Sequence, residues 1–280
     1  MQKIISGKVR DVYTIDDRRL VIVTSDRISA YDVVLKAPIT DKGKVLNTMA
    51  LFWFDYTKDI IQNHLLSAEL IDMPSYFQKP EFAERTIMVK KLRMLPYEFI
   101  VRGYIFGNMW QAYQEGKEFC GLKIEGDYQQ AQKLTIPILT PSRKMNEEHD
   151  IYISFEEVAI ELGSETAEKI KQLCLKLYEA CYNYAYAKGI IIADTKFEFG
   201  VDENHNLVLA DEIFTPDSSR FWSLADYAIG VSPKSYDKQF IRDWLMNNMV
   251  DGVIQFDNVP PEILTKTALI YQNCLQTLIK

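Results

Sequence analysis

Residues 189–222 constrain the fold more than any other stretch, because apolar and chargeable side chains alternate there too regularly for a loop. Successive strand residues point to opposite faces of a sheet. Asp194, Lys196 and Glu198 therefore share one face, while Ala193, Thr195, Phe197 and Phe199 share the other. Residues 202–206 are rich in turn formers, so the chain doubles back as a hairpin whose return strand ends in Ala210-Asp211-Glu212. A four-residue loop over 203–206 would set Glu198 directly opposite Asp211, whereas a five-residue loop would slip the pairing by one residue and flip the face. In either register the two acids lie within reach of one hard cation. Magnesium takes one or two carboxylates and completes its shell with water and substrate phosphates. The bland alternative is a solvated strand face whose charges merely balance one another. Against it, Thr215-Pro216-Asp217-Ser218-Ser219-Arg220 follows at once, offering hydroxyls and a guanidinium suited to phosphate or carboxylate.

With 280 residues, 48% of them hydrophobic and 25% charged, the chain can bury the cores of two packed domains. No apolar run approaches the roughly 18 residues that span a bilayer. The first eight residues lack a signal peptide's apolar core, so a cytoplasmic protein is expected, with no membrane partner. Cys120, Cys174, Cys181 and Cys274 are widely spaced and form no C-x-x-C pair, which favours core thiols over metal ligands or disulfides. His64, His149 and His205 also lack ligand spacing, and a zinc site is not expected. A net charge of -7 argues against a nucleic-acid partner, although local basic groups can still hold a small anion.

Elsewhere the pattern mixes strands and helices. Residues 9–15 and 20–24 read as an opening hairpin, and 44–55 as a helix with Leu46, Met49, Ala50 and Trp53 on one face. Strands are expected over 86–92 and 98–104, then a helix near 108–114 that stops at Gly116. Residues 116–150, polar and holding Pro137 and Pro141, read as hairpin and loop, suited to covering a site. Ser154-Phe155-Glu156-Glu157 matches a capping box. Ile170, Leu173, Cys174, Leu177, Cys181 and Ala185 continue as an apolar helical stripe closed by Lys188-Gly189. Two helical stretches end the chain, the last entered through Pro260-Pro261.

Three further polar clusters carry chemistry. Ser6-Gly7-Lys8-Val9-Arg10-Asp11 adjoins the first strand, where a glycine lets backbone amides approach an anion and Lys8 and Arg10 add charge. It is no Walker A loop, and by itself it is equally an ordinary turn. Residues 24–32 end the next strand with Ser25, Asp26, Arg27 and Asp32 close together, either ligand contacts or an Asx turn with a surface ion pair. Arg102 interrupts an apolar run in Val101-Arg102-Gly103-Tyr104, and a buried arginine needs an anionic partner.

Taken in order, the stretches 6–13, 25–32, 43–46, 101–104, 140–144, 193–200, 211–222 and 235–244 resemble the SAICAR synthetase family (phosphoribosylaminoimidazole-succinocarboxamide synthases) from one end of the chain to the other. The resemblance implies an α+β, two-lobed fold, broadly similar to ATP-grasp and kinase-like folds. An N-terminal β-rich ATP lobe would span residues 1–85. A second α/β lobe would span 86–280, with the site hairpin at 190–213 and the active site in the cleft. It also implies an ATP-dependent ligase of purine biosynthesis that joins carboxyaminoimidazole ribonucleotide (CAIR) to L-aspartate, giving SAICAR, ADP and phosphate through an acyl phosphate. The cofactors would be ATP and Mg2+, and the partners those small molecules, with a homodimer left open.

Carried onto this chain, the resemblance puts the ATP phosphates at Gly7, Lys8 and Arg10. Magnesium would lie on Glu198 and Asp211, with Lys196 and Asp194 lining the ATP and reacting-carboxylate region. Arg102, Arg220 and Ser219 would grip the ribonucleotide phosphate, assisted by Lys238 and Gln239. Ser25, Asp26, Arg27 and Asp32 would serve the aspartate or imidazole side, and Leu207 and Leu209 would floor the adenine pocket if the four-residue loop holds. One departure follows V-R-G-Y, where Phe106-Gly107-Asn108 stands in place of the glycine-serine stretch of many relatives; Asn108 could donate to phosphate instead. A small-molecule kinase on a related scaffold and a noncatalytic nucleotide-binding protein are the alternative readings.

Overall fold

The structure is a computed structural model and describes residues 2–31, 33–145 and 150–279. It opens with an antiparallel meander, β1 (Gln2–Ser6), β2 (Arg10–Thr14) and β3 (Arg19–Thr24). The expected opening hairpin thus gains a strand, β1, exposed along its length at the sheet edge. A short pair, β4 (Ser29–Ala30) and β5 (Val33–Val34), leads to helix α1 (Lys42–Tyr56). Strands β6 (Leu65–Ser67) and β7 (Thr86–Lys90) complete the first sheet in the order β1-β2-β3-β7-β6, so that sheet reaches past position 85 to Lys90.

The second sheet is assembled from β8 (Arg93–Met94), β9 (Tyr97–Tyr104), β10 (Lys133–Arg143), β11 (Ile151–Tyr152), β12 (Ile190–Val201), β13 (Leu207–Ala210) and β14 (Ser219–Ser223). Its order is β11-β10-β9-β12-β13, with β8 and β14 also pairing with β12. Helix α2 (Gly107–Gln114) follows β9, while α3 (Phe155–Leu162) and α4 (Ser164–Ala187) precede β12. Helices α5 (Gln239–Asn247) and α6 (Pro261–Ile279) end the chain. The Ser154 capping box forms as the sequence predicts. The stripe of α4 is buried, including Cys174 and Cys181, and the four cysteines are free thiols. Leu46, Met49, Ala50 and Trp53 of α1 bury in the same core as β9, β12, α4 and α6, so α1 joins the two lobes. Among the described residues no helix is long and apolar enough to cross a membrane.

Two readings that the sequence left open are resolved. Residues 133–143, within the stretch read as hairpin and loop, form an eleven-residue strand inside the sheet. Its prolines are accommodated because Pro137 falls in the register break between Lys133 and Ile138, and the Pro141 carbonyl accepts from the Ile153 amide at 3.2 Å. The site hairpin takes the five-residue loop: Val201 pairs with Leu207, and Glu198 with Ala210 rather than Asp211. The cause is Asp202, whose carboxylate accepts from the Asn204 and Asn206 amides at 2.9 and 2.8 Å and so widens the turn by one residue. Leu209 is consequently sealed in the main core and cannot floor an open adenine pocket, while Leu207 is only partly buried against that core.

Helix α4 lies close to β9 because residue 103 has no side chain. A Cβ there would stand 2.0 Å from the Tyr178 hydroxyl, which donates to the Ile192 carbonyl at 2.6 Å. Gly103→Ala is expected to lower stability by about 1–3 kcal/mol through overpacking, read from urea denaturation. Tyr178→Phe removes the clashing oxygen, so Gly103→Ala should cost less in that background; strictly additive losses would reject this contact as the cause.

Candidate active site

Three acids surround one ammonium at the base of the site hairpin. Lys196 Nζ lies 3.0 Å from Asp211 and 3.3 Å from Glu98, and it also hydrogen-bonds Glu198. Glu198 is paired a second time, with Lys144. Asp211 lies one residue beyond β13 with φ of 58°, and this left-handed turn carries its carboxylate back to Lys196 despite the slipped register. From the first sheet, Arg10 reaches across to Asp211 at 3.3 Å and to Glu212. Burial lowers the proton affinity of the Lys196 ammonium, but Glu198, Glu98 and Asp211 outweigh it and hold the group well above an ordinary lysine. Burial pushes the Glu198 carboxyl up against the pull of Lys196. It acts on Asp211 in the same sense, yet Lys196, Arg10 and Lys144 override it and keep that carboxylate ionised far below the usual range.

A second cluster adjoins the first along β12. Asp194 accepts from buried Arg102 at 3.3 Å and from Arg220, and Arg102 also donates to Thr140 Oγ1 at 2.9 Å. Ser219 exchanges a 2.8 Å hydrogen bond with Thr195. Asp194, Arg102, Lys196, Ser219, Arg220 and Lys238 line one cavity of about 190 Å³. Arg242, Asp217 and Asp237 complete its charged lining, giving five cations against three carboxylates. In a chain of net charge -7, that local excess suits an anionic ligand.

The structure thus brings together Arg10, Asp194, Lys196, Glu198, Asp211, Arg102, Ser219, Arg220 and Lys238. Gly7 forms the corner between β1 and β2, donating its amide to the Arg10 carbonyl at 2.8 Å, with Lys8 beside it. Ser25 and Arg27 fasten that corner rather than line the cavity: Ser25 Oγ donates to the Val9 carbonyl at 2.5 Å, and Arg27 bonds Gly7 and Asp11. Asp26 accepts from the Gly43 amide at 2.9 Å and pairs with Arg85. Asp32 lies outside the described residues. Gln239 borders a neighbouring hollow of about 630 Å³ that shares Arg220 and Arg242 with the cavity, and Asn108 lies there too, donating to the Tyr152 hydroxyl at 3.2 Å. A hollow of about 710 Å³ at the far end of the hairpins, bordered by Arg18, Lys91, Leu92 and Glu203, contains none of the predicted site residues.

Sequence reasoning missed Glu98, Lys144, Arg242 and, above all, Lys42 and Asp217. Lys42 is wholly buried at the start of α1, with Nζ 2.6 Å from Asp217. Burial lowers the Lys42 ammonium against the attraction of Asp217. The available signal was a lysine opening an apolar helix beside Asp217 in the already suspect 215–220 stretch.

Donor chemistry at Glu198 and Asp211 fits a hard cation, since a single ammonium already bridges their carboxylates. Among the described residues no three acidic, histidine or cysteine side chains form a ready cage. A cation here would take one or two protein oxygens and leave the rest to water and phosphate, which is magnesium's habit.

A basic corner on one sheet facing an acid-lysine cluster and an arginine cavity on another is the layout of a two-lobed α+β enzyme that binds anionic small molecules in its cleft. A model of the SAICAR synthetase family matches residues 3–256. A phosphoribosylaminoimidazole-succinocarboxamide synthase of Lachnospira eligens is 48% identical, covering 97% of this chain and 93% of its own. The solved SAICAR synthase of Saccharomyces cerevisiae, in complex with SAICAR, is 39% identical with a TM-score of 0.88, covering 99% and 94%. A SAICAR synthetase solved in complex with ADP shares the fold at 24% identity and a TM-score of 0.72, covering 98% and 97%. The chain belongs to the SAICAR synthetase family.

The Lys42–Asp217 pair makes a stability prediction. Removing one partner of a buried ion pair leaves an uncompensated charge, at a cost of about 3–5 kcal/mol. Lys42→Met should lose about that much in chemical denaturation, and adding Asp217→Asn should restore part of it. A double variant as unstable as the sum of its parts would show that no charge was stranded.

Proposed function

We propose that this cleft joins the carboxylate of CAIR to the amino group of L-aspartate and converts ATP to ADP and phosphate. The observation that carries the reading is the contact of Arg10 with Asp211 and Glu212. It ties the Gly7-Lys8 corner to the acid pair, while β12 continues from that pair to Asp194 and the arginine cavity. The SAICAR and ADP in the related structures are what such a continuous site would hold.

The chemistry needs positioning more than covalent participation by the protein. A carboxylate is a poor electrophile, so its oxygen attacks the γ-phosphorus of ATP and ADP leaves, giving an acyl phosphate. The aspartate amine then attacks the carbonyl carbon, loses a proton, and the C–O bond breaks to release inorganic phosphate. Gly7, Lys8 and Arg10 hold the nucleotide phosphates. Glu198 and Asp211 would hold a magnesium ion, which would supply charge screening for the phosphoryl group. Lys196 aligns the γ-phosphate with the attacking carboxylate. Arg102, Arg220 and Ser219 hold the ribonucleotide phosphate, and Lys238 with Gln239 borders the same substrate. Asp194, engaged by two guanidinium groups, acts by orienting them. We assign the enzyme to the cytoplasm, a reading supported by its free thiols.

Omitting ATP, magnesium, aspartate or CAIR in turn from an assay of the purified protein should abolish phosphate release each time; release without aspartate would reject the ligase reading in favour of an ATPase, and ADP formed without free phosphate would reject it in favour of a kinase. Glu198→Gln or Asp211→Asn should reduce kcat by about 100-fold or more while the fold persists, and near-native turnover in either would remove magnesium from those side chains. Arg220→Ala should raise the KM for CAIR by about 10- to 100-fold, the worth of a charged hydrogen bond. An unchanged KM would take Arg220 out of the ribonucleotide site.

A further inference from the structure

Among the described carboxylates that line the arginine cavity, Asp217 is the one that accepts a hydrogen bond from the C-terminal helix. Its Oδ2 lies 2.6 Å from Lys42 Nζ, and its Oδ1 accepts from the Tyr271 hydroxyl at 2.8 Å. The Lys42 ammonium also lies over the Tyr271 ring, 5.6 Å from its centroid. Lys42 and Tyr271 are fully buried, and the Asp217 side chain is 4% exposed. In front of Asp217, Lys238 Nζ approaches its Oδ1 to 4.0 Å and lines the cavity. Three elements distant in sequence therefore meet at one carboxylate: the start of α1, the 215–220 loop and the middle of α6. Tyr271 lies beyond residues 3–256, the span that the family model matches.

We propose that Tyr271 and Lys42 are positioning residues for the ligation, fixing the Asp217 carboxylate so that it holds Lys238 in place against the bound ribonucleotide. This rests on the cavity being the ribonucleotide site, as proposed above. The 215–220 loop already fixes the backbone of Asp217, whose amide donates to Thr215 Oγ1 at 3.3 Å. What the backbone leaves free is the rotation of the carboxylate, and two donors, one at each oxygen, remove it. The attraction of Lys238 and Lys42 and the hydrogen bonds from Lys42 and Tyr271 override the effect of burial and keep the Asp217 carboxyl well below its ordinary range, so the group that faces Lys238 is an anion. Were Asp217 free to turn, Lys238 would lose its fixed counter-charge.

Tyr271→Phe tests this, because it keeps the buried ring and removes only the hydroxyl. The expected result is a KM for CAIR raised by about tenfold, the scale of one hydrogen bond to a charged group, with the KM for ATP within about twofold of the parent. Lys238→Ala should raise the CAIR KM by a similar factor, and adding Tyr271→Phe to it should raise it no further. A purely structural role for Tyr271 predicts instead a lowered melting temperature with the CAIR KM unchanged, and that result would overturn the proposal. So would a loss shared equally between ATP and CAIR. Arg220→Ala, run alongside, separates the failures. If it raises the CAIR KM and Tyr271→Phe does not, the positioning role falls while the cavity reading stands. If neither moves it, the cavity reading falls as well.

Discussion

A single lysine gathers three carboxylates, one positive charge and three N–H donors among three acids. Lys196 is partly buried among Glu98, Glu198 and Asp211, and Arg10 arrives from the other sheet to share Asp211. Three carboxylates in one buried region repel one another strongly in a medium of low effective dielectric. They stay together only because Lys196, Lys144 and Arg10 stand between them. Such clusters contribute little net stability relative to a well-packed apolar core. A cluster of this kind is suited to having its charges rearranged by an incoming anion or cation.

The same electrostatics explains why the two lobes need a polar joint. The first sheet contributes Arg10 and the Gly7 corner, and the second contributes the acids on and after β12. Packing alone would hold the lobes in one arrangement through α1, whose apolar face belongs to the second lobe's core. The ion pairs across the cleft are different in kind: Arg10, Asp211 and Glu212 are largely shielded from water, so losing one partner is costly unless another ion takes its place.

Much of the arrangement was legible in the sequence because it rests on short-range rules. The alternation of β12 fixed which residues share a face, and Ser154 and Glu157 announced the start of α3. Arg102 stood out as a charge inside an apolar strand, and its partner proved to be Asp194 on the neighbouring strand. The hairpin register was open because it turned on one side chain, Asp202, choosing between two loop lengths that suit the same residues. Strand β10 was hidden for a comparable reason. Its prolines read as loop, and only the sheet around it shows that one sits in a register break and the other still offers a carbonyl. Lys42 and Tyr271 were hidden more deeply, since a lysine at a helix start and a tyrosine in an apolar seam are both ordinary until Asp217 is found between them.

Asp194 shows how the two halves of the site depend on one another. It lies on the same strand face as Lys196 and Glu198, yet its carboxylate is turned to Arg102 and Arg220 and away from the acids around Lys196. One carboxylate between two guanidinium groups leaves an excess positive charge facing the cavity. An incoming phosphate meets that charge without requiring Arg102 to be left unpaired in the core, where a lone guanidinium would be costly. Arg220, about a quarter exposed, can turn toward the ligand, whereas Arg102, at 3%, stays locked to Asp194 and Thr140. The buried arginine thus sets the position of the carboxylate, and the carboxylate sets the position of the exposed arginine. The alternating pattern of β12 places this relay one strand step from the lysine that gathers the acids, so a single β-strand carries both the acid-lysine cluster and the arginine cavity.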